Sequence, residues 1–266
     1  MLSATSRLLT YAVAVLYALL GIVLYLFPGW ATANFLWQVT PFIAMTMGAW
    51  YLGGAFVAWQ SARVWRWPAI YPSLIFLWAF SILEMAVLLV HTPVLRLEAI
   101  LAWPYILILA VSVIASVKGL LDWLQQRPAT TSEDTTVPGW VRLLVIGFIL
   151  FASFISLPLL SGAARGGTIW PSEFTLLTAR AFGAFYFSLV LAVVPLIWAR
   201  NMLPIVTLLP AAVVGSAIIT IPALVYINLF DFANKPGGLV YIGTYILVFI
   251  GAVAILLVHR RRLNTD

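Results

Sequence analysis

The chain has no cysteine, and only two of its 266 residues are histidine. The first absence excludes disulfides, thiol nucleophiles and thiolate metal sites, and leaves the redox compartment unreadable. The second leaves His91 and His259, which end apolar segments running in opposite directions. They cannot share a metal or a haem, so no metal site and no cofactor is expected. Charge is scarce as well: 8% of residues are Asp, Glu, Lys or Arg, where soluble domains carry roughly 25%. Catalytic motifs are missing too. There is no HExxH, no phosphate loop, no GxSxG and no paired-aspartate motif, so no enzymatic activity is expected.

What the chain does have is hydrocarbon. It is 64% hydrophobic, with a mean hydropathy of +1.09. Leu, Val, Ile, Ala, Phe and Trp cover every face of its long segments, a pattern that belongs in lipid or inside a membrane bundle. Spanning a bilayer takes roughly 20 mostly apolar residues as a helix. Eight segments qualify: 8–27, 41–59, 69–90, 97–117, 141–160, 174–199, 203–229 and 239–258. An open strand edge does not survive in hydrocarbon, so all eight are read as helices. The fold class expected is an all-α polytopic membrane bundle of about eight transmembrane helices, with the lipid bilayer as its first partner. Arg7 before the first segment and Ala31-Thr32-Ala33 after it resemble a signal peptide. However, the apolar stretch exceeds the ~7–15 residues of a signal core, so it is read as a span.

The net charge of +6 is not gathered into a patch, which excludes nucleic acid as a partner. The basic residues sit at span ends. With the N-terminus inside, Arg7, Arg63, Arg66, Lys118, Arg127, Arg142, Arg200, Arg260, Arg261 and Arg262 face the cytoplasm, ten in all; Arg96, Arg165 and Lys235 face out. This split predicts a multi-pass cell-membrane protein with both termini cytoplasmic. Trp30, Trp37, Trp67, Trp123, Trp140 and Trp170 lie near span ends, where amphipathic rings collect.

The one extended polar stretch, from Gln125 to Thr136, reads as a linker. It divides the chain into a first four-helix unit (1–124), a linker (125–139) and a second four-helix unit (140–266). The units resemble each other at an offset of 135 residues. Arg7-Leu8-Leu9 matches Arg142-Leu143-Leu144, and Ala44-Met45-Thr46-Met47-Gly48-Ala49-Trp50-Tyr51 matches Ala179-Arg180-Ala181-Phe182-Gly183-Ala184-Phe185-Tyr186. At an offset of 140, Tyr105-Ile106-Leu107-Ile108 matches Tyr245-Ile246-Leu247-Val248. The third and seventh spans match poorly. Four spans return the chain to its starting side, so the repeats are expected to be parallel, related by a pseudo-twofold axis along the membrane normal.

Ala44 and Gly48 share a helix face, as do Ala179 and Gly183. Small residues four apart let helix backbones approach closely, so these four are read as packing positions near the axis. Two charges fall inside spans: Glu84 in the third and Arg180 in the sixth. Each lies roughly 10 Å below the outer surface at 1.5 Å per residue, which predicts an ion pair. Ser81 and His91 share the face of Glu84. Two readings stay open. The pair is a structural pin between the repeats, or Ser81, Glu84, Arg180 and His91 line an outward-open cavity for a small anionic or zwitterionic ligand. Arg96, Glu98, Arg165, Glu173, Asp231 and Lys235 form a solvated outer rim. Pro104, Pro158, Pro195, Pro210 and Pro222 are expected to bend their helices.

The sequence therefore points to a protein that binds or transports a small solute or lipid headgroup in an outward-facing cavity. The alternative is a non-catalytic scaffold or accessory subunit that docks a membrane protein partner.

Overall fold

The computed structural model describes residues 2–128 and 136–263, with side chains up to Val258. Residues 129–135 of the expected linker and the side chains of His259 to Arg262 lie outside the described residues. All regular structure among the described residues is helical: α1 (Ala4–Leu26), α2 (Pro28–Asn34), α3 (Pro41–Val64), α4 (Trp67–Val90), α5 (Ala102–Gln126), α6 (Gly139–Ser161), α7 (Leu176–Val193), α8 (Leu203–Val225) and α9 (Gly237–Leu263), with short 3-10 turns between some of them. Every one except α2 is long and apolar enough to cross a membrane, with α7 continuing as a 3-10 turn to Trp198. Eight such helices point to a multi-pass membrane protein.

Local chemistry sets the helix starts. The hydroxyls of Ser3, Thr40 and Thr175 accept from the backbone N–H three residues on and so cap α1, α3 and α7. Proline occupies the first turn of α2, α3, α4 and α8, where its missing N–H costs nothing. Inside the helices, Thr10, Thr46, Ser112, Ser116, Ser188 and Ser216 each donate to the carbonyl four residues back at 2.6–2.8 Å. That bond lets a hydroxyl reside in hydrocarbon without an external partner.

Four helices, α3, α4, α7 and α8, form the centre of the bundle: α4 packs on α3, α7 and α8, and α3 packs on α8. The helix pair α1 and α5 flanks one side; α6, on α7, and α9, on α8, flank the other. The most deeply buried is α3, and α6 and α9 are the least. Their outward faces carry exposed Leu143, Leu150, Phe154, Leu247 and Ile250, as lipid-facing helices do.

Several boundaries differ from those read in the sequence. The fourth span starts at Ala102, not at 97, because residues 92–101 form turns tied back to the end of α2 and the loop after it. Arg96 N–H donates to the Leu36 carbonyl at 2.7 Å and Leu101 N–H to that of Asn34 at 3.0 Å. Pro104 consequently falls in the first turn of α5 and bends nothing. That helix runs on to Gln126, into the expected linker. Pro195 ends α7 and tightens the chain into a 3-10 turn. Pro158, Pro210 and Pro222 do lie inside helices, and so does Pro72 in α4, which was not among the expected bends.

Candidate functional site

Glu84 sits six residues before the end of α4, about 9 Å down the helix from Val90. It is 1% exposed, and neither carboxyl oxygen has a hydrogen-bond partner. Three tyrosines from three other helices lie within its electrostatic reach: Tyr17 of α1, Tyr51 of α3 and Tyr105 of α5. The Tyr51 hydroxyl donates to that of Tyr105 at 2.9 Å. The Tyr17 ring stands edge-on to Tyr51, with centroids 5.0 Å apart, and its own hydroxyl is unpartnered. It faces Ser112, whose hydroxyl is already committed to the Ile108 carbonyl at 2.7 Å.

Arg180 does not meet Glu84. Its guanidinium Nη1 lies 3.1 Å from Nε2 of His91, and the side chain is half-buried beside Gly162. The cause is azimuth, not depth. Arg180 shares a helix face with Gly183, and that face meets α6: a Cβ on Gly183 would stand 2.6 Å from the Leu160 nitrogen. A long side chain on that face, one turn from the start of α7, reaches outward to the end of the bundle, where His91 caps α4. A guanidinium only donates, so His91 Nε2 accepts and the imidazole is neutral. Burial, and then the neighbouring Arg180 charge, hold His91 below the usual imidazole range.

The four residues expected to act together therefore separate. Ser81, fully buried, turns to α5, 2.8 Å from the Ser116 hydroxyl. Glu84 stays among the tyrosines, and His91 pairs with Arg180 at the end of the bundle. Among the described residues the ion pairs are Arg96–Glu98 and Lys118–Asp122.

The small-residue positions are all buried. Gly48 abuts α1, where a Cβ would come within 2.6 Å of the Tyr25 nitrogen, and Gly183 abuts α6 in the same way. Ala44 and Ala179 are buried to 1% and 0% exposure. The glycines thus hold α3 to α1 and α7 to α6. Contact between α3 and α7 falls to Trp50, which stacks on Phe185 and stands edge-on to Phe182.

A cavity of about 460 Å³ lies on the other side of the bundle, walled by α3, α6, α7, α8 and α9. Among the described residues α6 and α9 make no extensive contact, and the space lies between them. Its lining is almost wholly apolar, with Phe148, Phe151, Leu189, Leu209 and Ile255 among the walls. Gly215 and Gly251 also line it, and a Cβ on either would meet nothing within 4 Å. At the end that carries the α6–α7 loop the lining turns polar. Trp170 and Tyr241 are 2% and 3% exposed there, and neither polar atom makes a hydrogen bond; the Tyr241 hydroxyl faces Thr46, whose own hydroxyl is committed to the Phe42 carbonyl at 2.8 Å. Tyr186 and Tyr245, also in the wall, share a hydrogen bond of 2.6 Å. Sequence reasoning missed this space, because one apolar face looks like another. The available trace is Gly251, a mid-span glycine with Leu247 and Ile255 four residues to either side; Gly215 follows Ala211 at the spacing of the packing pairs and gives no such sign.

A second group was also missed. Asp122, 3% exposed, bridges to Lys118 one turn earlier in α5 and accepts from Ser3 N–H at 3.1 Å, from the Ser3 hydroxyl and from the Ser6 hydroxyl at 2.6 Å. It binds the last turn of α5 to the start of α1. Its trace in the sequence was a Lys and an Asp four apart at a span end.

Neither cavity nor polar cluster has a precedent to borrow from: no protein-family model matches the chain, and searches of curated proteins and of solved structures return no match.

Proposed function

We propose that the protein binds an amphiphilic lipid, with its chain in the cavity between α6 and α9 and an oxygen acceptor of its head at Trp170 and Tyr241. The observation that carries this reading is the pairing of a 460 Å³ apolar space with two buried, unpartnered polar atoms at one end. A buried indole N–H left without an acceptor is costly, and a ligand ester or hydroxyl oxygen would satisfy it. Within a bilayer, a gap between two helices is reached sideways by lipid, so the ligand class follows from the solvent.

This reading includes a plan of two parallel four-helix repeats in the cell membrane, with both termini cytoplasmic and the Trp170 end outward. Matched contacts support the repeat. Tyr51 bonds to Tyr105 as Tyr186 bonds to Tyr245. Gly48 abuts Tyr25 as Gly183 abuts Leu160, each pair 135 residues from the other. Thr40 and Thr175 cap corresponding helices. Arg7 donates to the Ala62 carbonyl at 2.7 Å as Arg142 does to that of Ala199 at 3.2 Å. The departure from symmetry is the ligand space: α1 packs on α5, whereas α6 stands off from α9.

The test is native mass spectrometry with lipid extraction on the purified protein. A stoichiometric lipid, lost when Gly215→Leu and Gly251→Leu fill the cavity, is the expected result. An empty protein, or one carrying a stoichiometric second protein in place of lipid, would overturn the reading in favour of a scaffold role.

A further inference from the structure

We propose that Glu84 is a proton-binding site inside the membrane, loaded and unloaded through a seam of hydroxyls between α1, α4 and α5.

The carboxyl is fully enclosed and has neither a hydrogen-bond donor nor a counter-ion. The groups that face it are neutral phenols: Tyr17 from α1, Tyr51 from α3 and Tyr105 from α5. From α7, Arg180 is turned to His91, and α8 carries no titratable residue. A carboxylate so placed is not sustained in hydrocarbon, so the group is held as the acid. An intramembrane acid that serves only packing is easily replaced by leucine or methionine. One that lies on a polar path can exchange its proton.

Such a path exists. It starts at Asp122, where Ser3, Ser6 and Lys118 converge at the N-terminal end of the bundle. One turn further along α1, Thr10 bonds to the Ser6 carbonyl at 2.8 Å. A small cavity of about 10 Å³ follows, lined by Thr10, Ser112 and Ser116. That is room for about one water, with three hydroxyls to hold it. Ser81 and Ser116 join at 2.8 Å beside it, and the unpartnered Tyr17 hydroxyl faces Ser112 on the side of Glu84. The serine, threonine and tyrosine hydroxyls along it can each donate and accept, as a proton relay requires, whereas Lys118 only donates and the Ser6 carbonyl only accepts. In the opposite direction the way is shut by aromatic rings. Tyr105 bonds to Tyr51, and Phe35 and Trp37 pack edge-on over it with centroids 5.2 and 5.5 Å away. Access is therefore one-sided, from the Asp122 end.

The experiment is infrared spectroscopy of the full chain in lipid nanodiscs, compared with Glu84→Gln, before and after transfer to D2O. The expected wild-type spectrum contains a protonated-carboxyl C=O band that is absent from Glu84→Gln and that shifts within minutes in D2O. Ser112→Val, which plugs the water-sized cavity, is expected to slow that shift tenfold or more. A spectrum unchanged by Glu84→Gln would mean an ionised Glu84 and overturn the proposal. A band that persists unshifted for a day would mean a sealed structural acid and do the same. Equal rates in Ser112→Val and wild type would overturn the route. Should Glu84→Gln fail to fold, wild-type labelling by dicyclohexylcarbodiimide, which adds to protonated carboxyls in apolar surroundings, decides the matter. Peptide mapping that places the adduct on Glu84 supports the site, and an unlabelled Glu84 overturns it.

Discussion

The ring of Trp50 lies on that of Phe185 with centroids 4.4 Å apart and planes 7° from parallel. The two stand 135 residues apart, at corresponding places in α3 and α7, and each is almost fully buried. Lipid offers no hydrophobic reward for bringing helices together, so contact between them depends on dispersion and ring electrostatics of this kind. Trp50→Ala or Phe185→Ala alone is expected to cost about 3–5 kcal/mol. The double variant should cost less than the sum, since the stack is lost only once. Unfolding of the four proteins in one detergent measures the difference, and strict additivity would mean the rings contribute independently.

Glycines in these helices divide into two kinds. A Cβ on Gly48 or Gly183 would stand 2.6 Å from backbone nitrogen of the neighbouring helix, which cannot move without the helix moving. Gly48→Ala and Gly183→Ala are each expected to destabilise by about 3 kcal/mol, the upper range for overpacking. Gly215 and Gly251 have open space around them. Alanine there relieves the helix of glycine's backbone entropy and should stabilise by roughly 0.5–1 kcal/mol. Thermal midpoints of the four variants check the contrast in sign.

Composition carried the span number, since each helix is apolar over a full bilayer width, and periodicity carried the faces of Gly48 and Gly183. Which helix each face would meet was not legible. Arg180 illustrates the gap. Its depth and the face it shares with Gly183 could be counted from the sequence, but that face was assumed to look toward α4 and in fact meets α6. His91 illustrates another: it caps α4 with non-helical backbone, so the periodicity that aligned it with Ser81 and Glu84 no longer held. The cavity beside α6 arises from two helices that do not touch, and an absent contact leaves no pattern in a uniformly apolar sequence.

The Arg180–His91 contact should make stability depend on acid. His91 is held below the usual imidazole range by burial and by Arg180, so the folded state favours the neutral ring. Above about pH 6.5 the ring is neutral whether folded or unfolded, and the contact is fully present. As pH falls below that value the unfolded chain takes up the proton first, and stability is lost. Wild-type protein should therefore melt lower near pH 5 than near pH 7, by a few degrees. His91→Gln, which keeps an acceptor for Arg180 and does not titrate, should flatten this dependence. Parallel pH slopes in the two proteins would show that the His91 proton is not the cause.

The absence of cysteine turns topology into a clean measurement, because any thiol introduced is the only one. The ten-to-three division of basic residues predicts that the loops after α4 and α6 face outward, and that the end of α5 faces the cytoplasm. Glu98, Glu173 and Gln126 are all exposed, and none holds a helix contact that a substitution would break. In intact cells a membrane-impermeant maleimide should label Glu98→Cys and Glu173→Cys, and should label Gln126→Cys only after permeabilisation. The reverse pattern would invert the whole bundle. It would place Trp170 and Tyr241 at the cytoplasmic leaflet and the Asp122 end of the hydroxyl seam outside, so that lipid and proton would each approach from the side opposite to the one inferred. Labelling of both Glu98→Cys and Gln126→Cys from outside would mean that α5 does not cross the membrane at all, and the count of eight spans would fall with it.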